Sequence, residues 1–138
     1  VCSVTSPDRE AVIREMFKRL SAHEWESASE LTTEDVEFEL AYAPDFMEMP
    51  VRGRAGLVNL YTSILGAIFD NFTLTPDEFI LGAEPDVAVA TYRSDAVVKQ
   101  NGQPYRNRYI GIIRFRNGEI STWREYHNPE EITRAMSD

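Results

Sequence analysis

Apolar residues at Val12, Ile13, Met16, Phe17 and Leu20 recur three and four apart, the spacing of one helix face, and predict an amphipathic helix over residues 8–22. Ser6-Pro7-Asp8 supplies a capping residue and a proline for its first turn. Residues 23–31 read as a second, short helix with Trp25, Ala28 and Leu31 turned inward, and Thr32-Thr33-Glu34-Asp35 as a turn. From 36 to 43 the period drops to two, with Phe38, Leu40 and Tyr42 on one strand face and Glu37, Glu39 and Ala41 on the other. A loop holding Pro44 and Pro50 follows. Arg52-Gly53-Arg54 then leads into a third helix over 55–69, whose stripe is Leu57, Leu60, Tyr61, Ile64, Leu65 and Ile68.

Beyond Asn71 the pattern is a meander of strands at 72–81, 87–100, 105–116 and 119–127. Glu84-Pro85-Asp86, Asn101-Gly102-Gln103-Pro104 and Arg116-Asn117-Gly118-Glu119 connect them, the last two carrying hairpin signatures. Pro129 opens a short terminal helix to Met136. Three helices beside a long, curved, mostly antiparallel sheet make an α+β fold, a cone-shaped barrel enclosing a pocket. The length of 138 residues, with no linker, repeat or low-complexity stretch, fits one domain over residues 1–138.

Charge narrows the choice of partner. With 14 basic against 23 acidic residues the net charge is −9, which opposes a sequence-independent grip on nucleic acid or anionic lipid. Arg106, Arg108, Arg114 and Arg116 alternate with Ile110 and Ile112 and read as a packed outer sheet face with charged ends, not as a phosphate track. The single cysteine, Cys2, falls in an N-terminal stretch expected to be loosely held and implies no thiol nucleophile. No apolar run reaches the roughly 20 residues of a membrane span, and residues 1–7 lack a signal-peptide pattern, so a cytoplasmic protein is expected. With two histidines and no ligand spacing, no glycine-rich phosphate loop and no nucleophile elbow, neither a metal nor a cofactor is implied.

The order of elements, together with Arg52-Gly53-Arg54, Asn101-Gly102-Gln103-Pro104, Arg114-Phe115-Arg116-Asn117-Gly118-Glu119-Ile120 and the run Trp123-Arg124-Glu125-Tyr126-His127-Asn128-Pro129, resembles the nuclear-transport-factor-two-like superfamily. The resemblance covers essentially the whole chain and points to the group holding ketosteroid isomerases, SnoaL-type polyketide cyclases and the phenazine-biosynthesis A/B proteins. Ketosteroid isomerases use a tyrosine, an aspartic acid and an aspartate base where this chain has Phe17, Gly111 and Leu40, and a one-residue shift to Glu39 would aim that carboxylate away from Phe38 and Leu40. The aspartate of SnoaL-type aldol cyclases also aligns with Gly111. The phenazine A/B proteins end in an Arg-Glu-aromatic-x-Asn-Pro run whose glutamate transfers protons, and Glu125 matches it. His127 departs from that pattern, standing where many relatives carry a bulky apolar residue.

If Leu40 and Gly111 mark the concave face, as the resemblance implies, alternation turns inward Phe38, Leu40 and Tyr42, then Tyr92, Ser94 and Ala96, then Asn107, Tyr109, Gly111 and Ile113, and finally Ser121, Trp123, Glu125 and His127. Tyr61 approaches from the third helix and Phe17 from the first. The C-terminal strand is thus expected to form the back wall of a closed apolar pocket holding one carboxylate. Glu125 reads as a desolvated general acid/base, or as the partner of Arg93, Arg108 or another arginine. His127, about 7 Å along the same strand face, reads as a second proton carrier or as a ligand of a terminal-helix carbonyl. Tyr92 and Tyr109 are candidate donors to a developing oxyanion or structural hydroxyls; Ser94 and Asn107 are candidate orienting groups; Trp123 is a stacking wall. Phe46, Met47 and Met49 form a lid or an ordinary rim loop, and His23, in a turn beside Trp25, reads as structural.

Two functions of different kinds fit. One is a cofactor-independent isomerase or cyclase of natural-product biosynthesis, in which Glu125, with His127, Tyr109 and Tyr92, acts on a small hydrophobic, cyclic or polyketide-like substrate. The other is a non-catalytic small-molecule-binding module or dimeric scaffold. The resemblance implies a homodimer formed through the face bearing Ile110 and Ile112, which light scattering would check.

Overall fold

The computed structural model describes residues 6–137. Its elements are α1 (Ser6–Ser21), α2 (Trp25–Ser29), β1 (Thr32–Leu40), β2 (Val51–Arg52), α3 (Gly53–Leu60) continued by a π-helical stretch (Tyr61–Gly66), β3 (Phe69–Ile80), β4 (Val87–Val98), β5 (Pro104–Arg116), β6 (Glu119–His127) and α4 (Pro129–Met136). The strands form one curved, open six-stranded sheet in the order β2-β1-β6-β5-β4-β3. Only β1 and β6 pair in parallel; the other neighbours are antiparallel. The α+β architecture and the β3–β6 meander are therefore as the sequence implies, although the sheet has free edges at β2 and β3. Cys2 and the capping side chain of Ser6 lie outside what is described. No described helix is long and apolar enough to cross a membrane.

Alternation was easiest to read where each strand buries one face. Along β5, Tyr105, Asn107, Tyr109, Gly111, Ile113 and Phe115 are buried while the residues between them reach the outer side. Asn117 and Gly118, at φ 54° and 81°, make the tight β5–β6 turn in the left-handed region that the Asn-Gly pair tolerates. Pro76 sits in β3, an edge strand, where its missing N–H interrupts no central ladder.

Three local expectations need correction. Thr32-Thr33-Glu34-Asp35 is not a turn. It belongs to β1, where pairing jumps from Thr32–Ile120 to Glu37–Thr122, a bulge whose extra residues break the two-residue period. β1 also ends at Leu40, because the Ala43 N–H turns back to the Leu40 carbonyl, so alternation stops before Tyr42. The third helix shifts to π geometry at Tyr61, ends at Gly66 with Ala67 as its cap, and hands over to β3 at Phe69.

The core lies between the concave face and α1. Ile13, Met16, Phe17 and Leu20 are buried together with Ala88, Ala90, Tyr92, Ile113, Ile120 and Trp123. Ala88 and Ala90 have side chains short enough for a helix to come close above the sheet, so Phe17 reaches the aromatic rings of β4 and β6.

Candidate active site

Strand register sets the site in rows across the sheet. One row is Ala90, Gly111, Glu125 and Leu40; the row on one side is Tyr92, Tyr109 and His127; the row on the other is Ala88, Ile113, Trp123 and Phe38. Because the middle row has a methyl at Ala90 and nothing at Gly111, the rows beside it lean into the space. A Cβ at Gly111 would stand 2.8 Å from Trp123 Nε1 and 3.0 Å from the Tyr92 hydroxyl oxygen. The two large residues meet over the glycine: the Trp123 indole N–H donates to the Tyr92 hydroxyl at 3.0 Å, and Tyr92 donates in turn to Glu125 Oε1. Phe17 covers the pair, 4.6 Å from the Tyr92 ring and 5.8 Å from Trp123 between centroids.

Glu125 opens onto a cavity of about 130 Å³. Phe17 and Leu20 of α1, Phe38 and Leu40 of β1, Leu60, Tyr61, Ile64 and Leu65 of α3 and its π extension, Phe69, Phe72 and Leu74 of β3, Tyr105 and Tyr109 of β5, and Trp123 and His127 of β6 form its walls. Ile68 before β3, Pro44, Phe46 and Met47 from the β1–β2 loop, and Ile132 and Met136 from α4 complete it. Phe46 and Met136 are 68% and 38% exposed, which places the rim between that loop and the last helix. Glu125 is the only ionised-type carboxyl or basic side chain besides His127 among these described lining residues.

That isolation governs protonation. Removal from water pushes the Glu125 carboxyl up to about 7, against the opposing effect of the Tyr92 hydrogen bond, which favours the carboxylate. Burial raises the Tyr92 and Tyr109 hydroxyls well above their usual range, helped by the nearby Glu125 charge, so both remain donors. Tyr61 is raised for the same two reasons. Burial lowers His127, which is therefore a neutral imidazole at pH 7.

The expected site residues fall into three groups. Phe17, Phe38, Leu40, Tyr61, Tyr109, Trp123, Glu125 and His127 all line the cavity. Tyr92, Ser94 and Asn107 are buried but lie behind the lining: Tyr92 holds Glu125, Ser94 Oγ is 2.8 Å from the Tyr109 hydroxyl, and Asn107 Nδ2 donates to Tyr105 Oη at 2.8 Å. Tyr42 is a correction. Beyond the end of β1 it points out, 58% exposed, with its ring edge-on to Tyr126 at 6.0 Å.

Among the open alternatives, Arg93 bonds Asp77 at 2.9 Å and so does not close the sheet on Glu125. His127 makes no bond to a terminal-helix carbonyl: its buried Nδ1 has no partner among the described residues, and its ring stacks on Tyr109, which stacks on Tyr92. His23 is structural as expected, within 3.3 Å of the Phe72 carbonyl and stacked on Trp25.

Sequence reasoning missed the contribution of α4. Ile132, Ala135 and Met136 have helical spacing that could have marked an inward face, but a helix of eight residues gives a short pattern. Asn107 holds this helix in place. Its amide donates to the Asn128 carbonyl at 3.0 Å and accepts from the Asn128 N–H at 3.1 Å, while Asn128 caps α4 through Glu130 N–H. Because Asn107→Ala leaves buried backbone groups unpaired, it is expected to destabilise the fold by about 2–4 kcal/mol in urea melts. A loss below about 0.5 kcal/mol would show that the latch is not needed.

The sequence profile of the SnoaL-like domain matches residues 13–123. The chain belongs to the SnoaL-like family. Among its relatives, the uncharacterized protein YesE of Bacillus subtilis (strain 168) is 27% identical over 124 residues, covering 90% of this chain and 84% of YesE. An uncharacterized PhzA/B-like protein of Pseudomonas aeruginosa is 29% identical over 101 residues, covering 71% and 68%. A crystal structure of a Bacillus subtilis protein provisionally described as an isomerase superposes with a TM-score of 0.86 at 25% identity, covering 96% of this chain and 95% of that one. Membership in this SnoaL-like family accords with the resemblance read from the turn motifs and the C-terminal run.

Proposed function

We propose that this SnoaL-like protein is a cofactor-independent isomerase or cyclase that moves protons on a small, hydrophobic, uncharged substrate, with Glu125 as general acid and base. The observation that carries this reading is a lone carboxyl poised at about 7, one oxygen held by Tyr92, facing a cavity walled by aromatic and aliphatic side chains. A group with that pKa is present in both protonation states near neutral pH, which suits it to protonate one substrate atom and deprotonate another. Tyr109 and the neutral His127 border the same space and act as hydrogen-bonding or proton-relay groups for the far end of the substrate. The Arg124-Glu125-Tyr126-His127-Asn128-Pro129 run, which resembles the end of the phenazine A/B proteins, supports Glu125 as the proton carrier, and the likeness to a protein provisionally described as an isomerase supports the reaction class.

The experiment is exchange in D2O. A panel of small cyclic ketones is incubated with the protein and deuterium uptake beside the carbonyl is read by mass spectrometry. Uptake by the wild type and its loss in Glu125→Gln is the expected result. Ligand binding without uptake in either protein would instead favour a binding module.

A further inference from the structure

We propose that Trp123 and Tyr92 form a one-way hydrogen-bond relay that decides which oxygen of Glu125 carries its proton, so that the acid is presented to the substrate from Oε2. The inference rests on the reading of Glu125 as the proton carrier and adds two positioning residues to it. An indole N–H can only donate. At 3.0 Å it occupies the Tyr92 hydroxyl as acceptor, and the single Tyr92 hydrogen goes to its other partner, Glu125 Oε1. A proton on Oε1 would compete with the Tyr92 hydrogen for that oxygen or leave this hydrogen without an acceptor among the described residues. The carboxyl proton therefore resides on Oε2, which no protein group bonds among the described residues, in a side chain that lines the cavity.

The bare Cα of Gly111 makes the relay possible, since any side chain there would occupy the point where the indole and the phenol meet. Trp123 thus has a task besides stacking. In the acid step the Oε2–H bond breaks and the proton passes to an acceptor atom of the substrate, such as a carbonyl or ether oxygen. The carboxylate left behind keeps the Tyr92 donation at Oε1, which stabilises it. In the return step a C–H bond beside the carbonyl of the substrate breaks and its proton passes to the carboxylate, restoring Oε2–H. A substrate that presents only a donor to Glu125 meets the wrong partner while the acid is neutral.

The test needs no substrate. The side-chain carboxyl carbon of Glu125 is followed by 13C NMR from pH 4 to 10 in the full chain, assigned by its absence in Glu125→Gln. Tyr92→Phe removes the bond to the carboxylate and is expected to raise the midpoint by about one to two pH units. Trp123→Phe frees the Tyr92 hydroxyl to accept from the neutral acid as well as donate to the anion, and its midpoint is expected to rise by a smaller amount, roughly half to one pH unit. If Trp123→Phe does not fold, benzothienylalanine at position 123 keeps the bicyclic ring without an N–H donor and is expected to give the same rise. A midpoint unchanged or lowered when the N–H is removed overturns the relay. Because this readout involves no turnover, it is separate from the exchange experiment: an active Glu125→Gln protein would overturn the acid/base role without moving any of these titrations.

Discussion

Glu125→Gln is expected to cut proton exchange roughly 10²–10⁴-fold and, above pH 7, to make the protein more stable than the wild type. Both effects come from one property, a carboxyl kept in an apolar cavity. Glutamine retains an oxygen that can accept from Tyr92, so the geometry of Tyr92 and Trp123 is preserved, but no proton can be given or taken. The stability effect follows from linkage. In the unfolded chain the group titrates near 4.5, whereas in the fold it titrates near 7, so between those values the folded state binds more protons than the unfolded one. Wild-type stability should therefore fall as pH rises through this window, by about 3 kcal/mol in all, and stay reduced above it. The variant loses this dependence. Near pH 5 the two should unfold at similar urea concentrations; at pH 9 the variant should be ahead by about 2 kcal/mol, the rest being offset by a cavity-facing amide that lacks a partner. Parallel stability–pH curves for the two proteins would mean that Glu125 is not desolvated, and would remove the physical basis for its chemistry.

What the chain disclosed of this arrangement follows from periodicity. In β4, β5 and β6 a single face is buried, so alternation assigned Tyr92, Tyr109, Trp123, Glu125 and His127 to the inside correctly. The same rule failed at Tyr42 because it carries no information on where a strand stops, and it failed at Thr32 because a bulge leaves residues without a partner. The two-residue β2 was too short to show a period. Lining and support were also indistinguishable in the pattern. Ser94 and Asn107 face inward as expected, yet hydrogen bonds to Tyr109 and Tyr105 hold them behind the wall. The bond from Trp123 to Tyr92 joins residues 31 positions apart on strands that are not neighbours, and it depends on Gly111 in the strand between them. Gly111 stood out only as the place where relatives carry an acid. The structure supplies the physical reason for the glycine: its vacant side-chain volume is filled from both sides.

Gly111→Ala is accordingly expected to be far more costly than a methyl in a strand would otherwise be, and Trp123→Phe is expected to relieve part of that cost. Alanine normally gains over glycine in a strand, by restricting the unfolded chain. Here its Cβ would stand 2.8 Å from Trp123 Nε1, closer than carbon tolerates, and 3.0 Å from the Tyr92 oxygen, tight enough that the ring must give by a few tenths of an ångström. Neither ring retreats easily, since Phe17 packs on both and Tyr92 and Trp123 are 1% and 6% exposed. Overpacking of this kind costs about 1–3 kcal/mol, and the forced separation of Tyr92 from Glu125 removes a charge-assisted hydrogen bond in addition. In a Trp123→Phe background the nearest clashing atom is gone and only the Tyr92 edge remains to be displaced. The double variant should then be less destabilised than the sum of the singles by about 1 kcal/mol or more in urea melts at pH 5, where Glu125 is protonated in the fold. Strict additivity would mean that the indole is not what excludes a side chain at position 111, and the meeting of Trp123 and Tyr92 over the glycine could no longer account for it.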